Sequence, residues 1–231
     1  MNNKIVPMLD NNDNNFFMML LMVIVIDINI YMNITIDMTA DLKYGILLSG
    51  GLDSAVLLYL MLLECKNKQI TPYIQPFTIE KSDRSYEFVP KILDYFNDMF
   101  GISLPPTIPV GDSILHHTQQ TRSAYFDIIE SHPEIDVIYM GTNAIPPEPL
   151  VGLAPVRVDT SNVENLKVPF FDLYKTHIIE MVYAYNIEPL LNITHSCTEQ
   201  ALTPCNMCWQ CNERIWAFRK LGKNDKYDIT E

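Results

Sequence analysis

Glycine is scarce in this chain, 8 of 231 residues. With only 15 prolines besides, a collagen-like or linker-like chain is excluded. Basic residues are scarce too: 16 Lys plus Arg stand against 28 Asp plus Glu, a net charge of −12. A surface of that sign repels phosphate backbones, which disfavours broad nucleic-acid binding and favours a small-molecule substrate. A bilayer-length apolar run is missing. Phe16 to Ile26 is unbroken, but a span needs about 20 residues, and Asp27, Asn29, Asn33 and Asp37 interrupt any extension. A secretory signal is missing as well, because Lys4 is the sole basic residue before Lys43 and no small-residue cleavage site follows Ile26. These absences predict a cytoplasmic protein without membrane contact.

What is present is a globular composition, 48% hydrophobic and 19% charged, which excludes disorder of the whole chain. At roughly 150 residues per domain, the length suggests one sizeable domain and an appendage. Residues 1–42 read as an N-terminal extension. Its asparagine-rich start, Asn2 to Asn15, has a disordered composition. The strict alternation from Ile26 to Met38 predicts a half-buried strand over 26–38, suited to a sheet edge or to another subunit, so a homodimer is a candidate state.

From 43 to 193 strand and helix signals alternate. Strands are expected at Tyr44–Leu48, at Ile70–Phe77 (weakened by Pro72 and Pro76), at Thr107–Val110 and at Asp136–Met140. Helices are expected at Asp53–Glu64, at Ser85–Phe100 with Gly101 as its stop, at Thr118–Ile129, and at Lys175–Tyr185 with Asp172 as its cap. Pro90 kinks the second of these or marks its start. Ile145–Pro155 is an irregular proline-rich loop, and Asn212–Leu221 is the last helix. This order predicts an α/β fold, a Rossmann-like parallel sheet with helices on both faces, followed by a small cysteine-rich segment over 194–231.

Ser49-Gly50-Gly51-Leu52-Asp53-Ser54 joins a strand to a helix. The first N–H groups of a helix lack internal partners and lie at the positive end of its dipole, so this position suits a phosphate. Two glycines allow close backbone approach, and Ser49 and Ser54 add hydroxyls. Asp53 suits a cap or a Mg²⁺ ligand. No Gly-Lys-Ser/Thr follows, so this is not a Walker loop. The alternative is a plain Gly-Gly turn. The segment resembles S-G-G-x-D-S, the signature of the PP-loop ATP pyrophosphatases, which cleave ATP to AMP and pyrophosphate while adenylating a substrate oxygen.

Four of the five cysteines, Cys197, Cys205, Cys208 and Cys211, fall in one short stretch. Clustering of this kind points to a metal in a reducing compartment instead of a disulfide framework. Four thiolates suit a closed, tetrahedral, structural Zn²⁺ site. An iron–sulfur run is the alternative, although Ile215 stands where its next cysteine would fall. His195 is either a competing ligand or an ordinary core or solvated histidine. Cys65 reads as a buried thiol.

Together these segments resemble the 7-cyano-7-deazaguanine synthases over about residues 43–221. The similarity is carried by Leu47 to Ser54, by Gly141-Thr142-Asn143-Ala144, by Pro169 to Lys175, by Thr194 to Cys197, and by Pro204 to Cys211 with Arg214, Ala217 and Phe218. The resemblance implies ATP and Mg²⁺ as cofactors beside Zn²⁺, with ammonia and 7-carboxy-7-deazaguanine as partners. It implies nucleotide binding by Leu47, Leu48, Ser49, Gly50, Gly51, Leu52, Asp53 and Ser54. Ser49, Asp53, Ser54 and Lys175 become catalytic candidates, with Lys175 neutralising a phosphate. Asn143 would read a base edge, and Arg122 survives in a comparable place. Residues 118–123 and 145–150 depart from the family's stretches, so the ATP chemistry is better supported than the base. A tRNA-modifying PP-loop enzyme, using a basic patch of Arg214, Arg219, Lys220, Lys223 and Lys226, and a nucleotide-binding protein without turnover are the competing readings.

Overall fold

Short apolar segments separated by helices generate a five-stranded parallel sheet in the computed structural model of the chain. The structure describes residues 34–115, 117–157, 160, 163–199 and 202–228. The chain divides into two units, Met1–Thr35 and Ile36–Glu231, and everything below concerns the second. In chain order its elements are β1 (Lys43–Leu47), α1 (Leu52–Lys68), β2 (Tyr73–Thr78), a 3₁₀ turn (Ser85–Phe88), α2 (Val89–Phe100), β3 (Ile108–Pro109), α3 (His117–Ser131), β4 (Val137–Met140), β5 (Leu166–Lys167), α4 (Lys175–Ala184), α5 (Leu190–Ile193) and α6 (Trp209–Lys220).

The sheet order is β3-β2-β1-β4-β5 with every pair parallel. The order reverses between β1 and β4, which opens a crevice at their carboxyl ends, where such sheets bind ligands. Helices cover both faces, as the alternation predicted. α1 is buried on nearly every side, from Leu52 through Cys65, and packs against α2, α4 and α5. On the opposite face Ala124 and Ile128 of α3 meet Leu47, Phe77 and Ile138. No described helix is long and apolar enough to cross a membrane.

Three expectations need correction. The strand over 26–38 lies mostly outside the described residues, as do the asparagine-rich start and the apolar run. Its last part, Ile34–Met38, is not strand. Hydroxyls take the backbone groups that a ladder would use: Tyr139 Oη donates to Asp37 O at 3.1 Å, and Thr39 N donates to Tyr44 Oη at 2.7 Å. Asp172 does not cap α4. The cap is Tyr174, whose N–H donates to His177 Nδ1 at 2.9 Å, and Asp172 lies too far upstream. Pro76 does not confine its strand to an edge. It faces the β3 side where pairing begins only at Phe77, so no ladder donor is lost, and its carbonyl takes Gln75 Nε2 at 2.9 Å. Pro90 marks the start of a helix, at the first turn of α2.

Gly141, at the end of β4, is where the crevice is tightest. A Cβ there would lie 2.8 Å from Ser54 N and 2.9 Å from Asp53 C, both backbone atoms at the start of α1. Gly141→Ala should therefore cost about 1–3 kcal/mol by forcing β4 and α1 apart. Gly101→Ala, where no atom lies within 4 Å, should cost about 1 kcal/mol, from left-handed backbone strain alone. Urea unfolding midpoints of the two variants test the ordering.

Candidate active site

The loop between β1 and α1 is shaped by its own side chains. Ser49 N donates to Ser54 Oγ at 3.1 Å, the two hydroxyl oxygens are 3.1 Å apart, and Ser54 Oγ also bonds Gly51 O at 3.2 Å. These hydroxyls hold the turn together. Gly50 has φ +80°, and a Cβ on it would strike Ser85 O, so glycine is required there. Its carbonyl accepts from His195 N at 2.9 Å, which ties the loop to the cysteine-rich segment. Gly51 caps α1 with an extended backbone and no side-chain bond, leaving the first turn of that helix to an external anion. Leu47, Leu48 and Leu52 are buried and support the loop from within.

Lys175, the first residue of α4, reaches Asp53 at 2.6 and 2.5 Å and Glu213 of α6 at 3.5 Å. Its side chain is 5% exposed and that of Glu213 is 3% exposed. Burial disfavours the ammonium, but Asp53 and Glu213 outweigh burial, and the Lys175 pKa is raised. Burial pushes the Glu213 carboxyl up against the opposing pull of Lys175. Two carboxylates thus share one ammonium. Asn143, just past β4, donates Nδ2 to Glu213 Oε1 at 2.8 Å. Arg157 donates Nε to Asn143 O at 2.9 Å and Nη2 to Asn143 Oδ1 at 3.2 Å.

These groups line a cavity of about 230 Å³ with Ser49, Gly51 and Ser54 at its floor. It adjoins a larger one of about 1160 Å³, lined in part by Tyr125, Phe126 and Phe171. Lys81, Asp83, Thr142, Arg157 and Trp209 line both. The structure therefore brings together Ser49, Asp53, Ser54, Asn143 and Lys175. Arg122 is set apart, in the larger cavity with its guanidinium 5.5 Å from the Phe126 ring. Glu213, Arg157, Lys81 and His195 were not singled out for the site by sequence. The signal for Glu213 was its place two residues after Cys211.

The four cysteine Sγ atoms lie within 4.8 Å of one another and could hold a metal ion. Backbone N–H groups of Cys208 and Cys211 donate to the sulfurs of Cys205 and Cys208 at 3.2 and 3.4 Å. The hydrogen bond from Cys211 draws the Cys208 thiol down to about 4, while burial pushes Cys197 up to about 11. So crowded a set favours one thiolate at a time unless a cation joins them. His195 is buried, stacked on Phe88 at 5.0 Å, and stands outside the four-sulfur cluster. Cys65 is a buried thiol that burial raises to about 11.

The expected basic patch is largely paired internally. Arg214 is fully buried, gripping Asp225 at 2.5 and 2.9 Å beneath the Tyr227 ring. Arg219 pairs with Asp228 and Lys220 with Glu148. Lys226 donates to Asn192 O and Thr194 O, and Lys223 lies over Tyr183.

The sheet order places a strand–SGGLDS–helix unit at the switch point of a parallel α/β sheet, the position where such sheets bind nucleotides and other ligands. A family model described as asparagine synthase matches residues 32–89, the stretch holding β1, the loop, α1 and β2. The chain is similar to the 7-cyano-7-deazaguanine synthase of Caldicellulosiruptor saccharolyticus, 27% identical over 226 residues that cover 80% of this chain and 95% of that protein. Among solved structures, the U34-tRNA thiolase NcsA of Methanococcus maripaludis with its [4Fe-4S] cluster matches at a TM-score of 0.46 and 13% identity, over 88% of this chain and 75% of that one.

Lys175→Met leaves the Asp53 and Glu213 carboxylates facing each other unpaired. It should cost about 3–5 kcal/mol in urea unfolding. Adding Glu213→Gln should recover at least about 1 kcal/mol of that loss. No recovery would show that the two carboxylates do not share the ammonium.

Proposed function

We propose that this chain is an ATP-dependent C–N ligase that converts 7-carboxy-7-deazaguanine and ammonia to 7-cyano-7-deazaguanine through acyl-adenylate and amide intermediates. The observation that carries the reaction class is the junction of the two cavities. The two cavities share Lys81, Asp83, Thr142, Arg157 and Trp209 in their linings, so in this reading a nucleotide held over the loop would present its α-phosphorus to an acceptor in the larger space. Tyr125, Phe126 and Trp209 contribute aromatic surface to that space, which suits a planar base. The identity of the base is supported by the curated relative and by the GTNA, PFFDLYK and THSC stretches.

In the first step a carboxylate oxygen bonds the α-phosphorus as the bond to pyrophosphate breaks. Charge grows on the departing pyrophosphate, where the uncapped first turn of α1 supplies fixed N–H dipoles and Lys175 a buried positive charge. Ammonia then attacks the acyl carbon, AMP leaves, and the nitrogen sheds a proton. In the second activation the amide oxygen bonds the α-phosphorus of another ATP as the bond to pyrophosphate breaks, and loss of AMP and the two remaining nitrogen protons gives the nitrile. Asp53 would hold Mg²⁺ accompanying the nucleotide, which would neutralise phosphate charge.

Cys197, Cys205, Cys208 and Cys211 would hold a structural Zn²⁺. A zinc–sulfur bond of about 2.3 Å sets tetrahedral sulfur–sulfur edges near 3.8 Å. Cys205–Cys211 and Cys197–Cys208 are each 4.0 Å apart. A four-iron cube would have to lie among the sulfurs and spread them. Free small-molecule substrates fit better than tRNA, because the basic residues once grouped as a patch are spent on internal contacts.

Incubation with ATP, Mg²⁺, ammonium and 7-carboxy-7-deazaguanine should yield the nitrile and AMP by mass spectrometry. AMP release only with tRNA would overturn the substrate, and no ATP turnover with any acceptor would overturn the reaction class. Metal analysis should give about one zinc per chain, reduced in Cys211→Ala, with an iron-containing brown preparation as the refuting result. Because His195 links the cysteine segment to Gly50, chelation should also raise the KM for ATP.

A further inference from the structure

Four cationic side chains line the two cavities among the described residues: Lys81, Arg122, Arg157 and Lys175. They are not equivalent. Lys175 is committed to Asp53 and Glu213 on the nucleotide side. Arg122 lines only the larger cavity and lies over Phe126. Lys81 and Arg157 line both cavities, so they alone reach the boundary where an α-phosphorus and its acceptor meet. Burial pulls the Lys81 amine below its ordinary value, with Asp83 opposing, and an ammonium offers a point charge without a planar fork. Arg157 instead carries a planar guanidinium whose fork of donors matches a carboxylate.

Arg157 is also oriented. Its Nε and Nη2 grip the carbonyl and the Oδ1 of Asn143. Asn143 cannot turn its amide around without losing Glu213, which accepts from Nδ2 at 2.8 Å. The two bonds to Asn143 use two of the five N–H groups of a guanidinium.

We propose that Arg157 receives the carboxylate of the acid acceptor at the cavity boundary, with Asn143 and Glu213 as its positioning residues. This rests on the ligase reading. The guanidinium fork receives both carboxylate oxygens, then keeps one while the other bonds the α-phosphorus and pyrophosphate departs. A fork of N–H donors matches a carboxylate and matches a neutral amide poorly. Arg157 therefore serves the first activation, whose acceptor is an anion, far more than the second, whose acceptor is an uncharged amide. The reaction contains its own control for damage to the fold.

The test uses full-length, metal-loaded protein and two separate substrates, 7-carboxy-7-deazaguanine and its carboxamide, each with ATP. In Arg157→Gln, kcat/KM for the acid should fall about 100-fold, the scale of a charge-assisted pair. For the amide it should fall less than about fivefold, with zinc content unchanged. Arg157→Lys should be intermediate on the acid, because an ammonium is a point charge without the fork. Equal losses on acid and amide, or an acid rate within about threefold of the parent, would overturn the assignment and leave the ligase reading standing. A parent that ignores both deazapurines but adenylates another carboxylic acid would overturn the base, and the same acid-against-amide comparison with that acid then decides Arg157. A parent that releases no pyrophosphate with any carboxylic acid overturns both.

Discussion

The Lys175 ammonium, held between Asp53 and Glu213, is the contact on which the rest of the site depends. It joins the nucleotide loop helix, the start of α4 and the helix that follows the cysteines, three elements remote in sequence. Taking these charges out of water is costly, and each is tolerated only because the others are there. With one ammonium between two carboxylates, the cluster is not neutral. A nucleotide brought to the same cavity adds further negative charge. Its binding therefore calls for added positive charge, which a divalent ion accompanying ATP would supply.

The cysteine-rich segment makes physical sense in the same terms. Residues 194–199 and 202–208 hold no helix or strand, and a segment without its own core needs a cross-link to hold shape. What the cross-link secures is not remote from the chemistry. His195 bonds Gly50, Cys197 lines the smaller cavity, and Glu213 follows Cys211 by two residues on α6. Arg214, clamped by Asp225 and Tyr227, fixes the C-terminal side of the same helix. A structural metal here would act on the nucleotide loop through two covalent neighbours and one hydrogen bond.

The parts legible in sequence were those with a local signature. Two glycines after an apolar strand announce a phosphate turn wherever they fold, and four cysteines at short gaps announce a shared ligand. The sheet was legible from alternation, although its order was not. Glu213 had only its nearness to Cys211 as a signal, since a glutamate in a helix ordinarily faces water, and its contact with Lys175 gives it a role. Arg157 lies in a proline-rich loop whose path is set by packing, with Gly152 pressed against the Trp209 backbone. The supposed basic patch shows the converse. Adjacent cations in sequence look like a surface, but Asp225 and Asp228 had already claimed Arg214 and Arg219. The hydroxyls of Ser49 and Ser54 also hold the turn itself, a role that their side-chain type alone does not announce.

Net charge also takes on a different meaning once local and global balances are separated. The chain carries −12 overall, yet its two cavities are lined by Lys81, Arg122, Arg157 and Lys175 against Asp53, Asp83, Glu199 and Glu213, which balance. At physiological salt, charges more than about 8 Å apart on the surface are largely screened. A small anion inside the site feels the balanced lining and the oriented guanidinium. A polyanion lying along the outside would meet the acidic exterior over many contacts and be repelled at most of them. The same composition that disfavours an extended phosphate backbone is therefore compatible with tight handling of ATP and a carboxylic acid, because both are small enough to be held by a few fixed cations in a low-dielectric crevice.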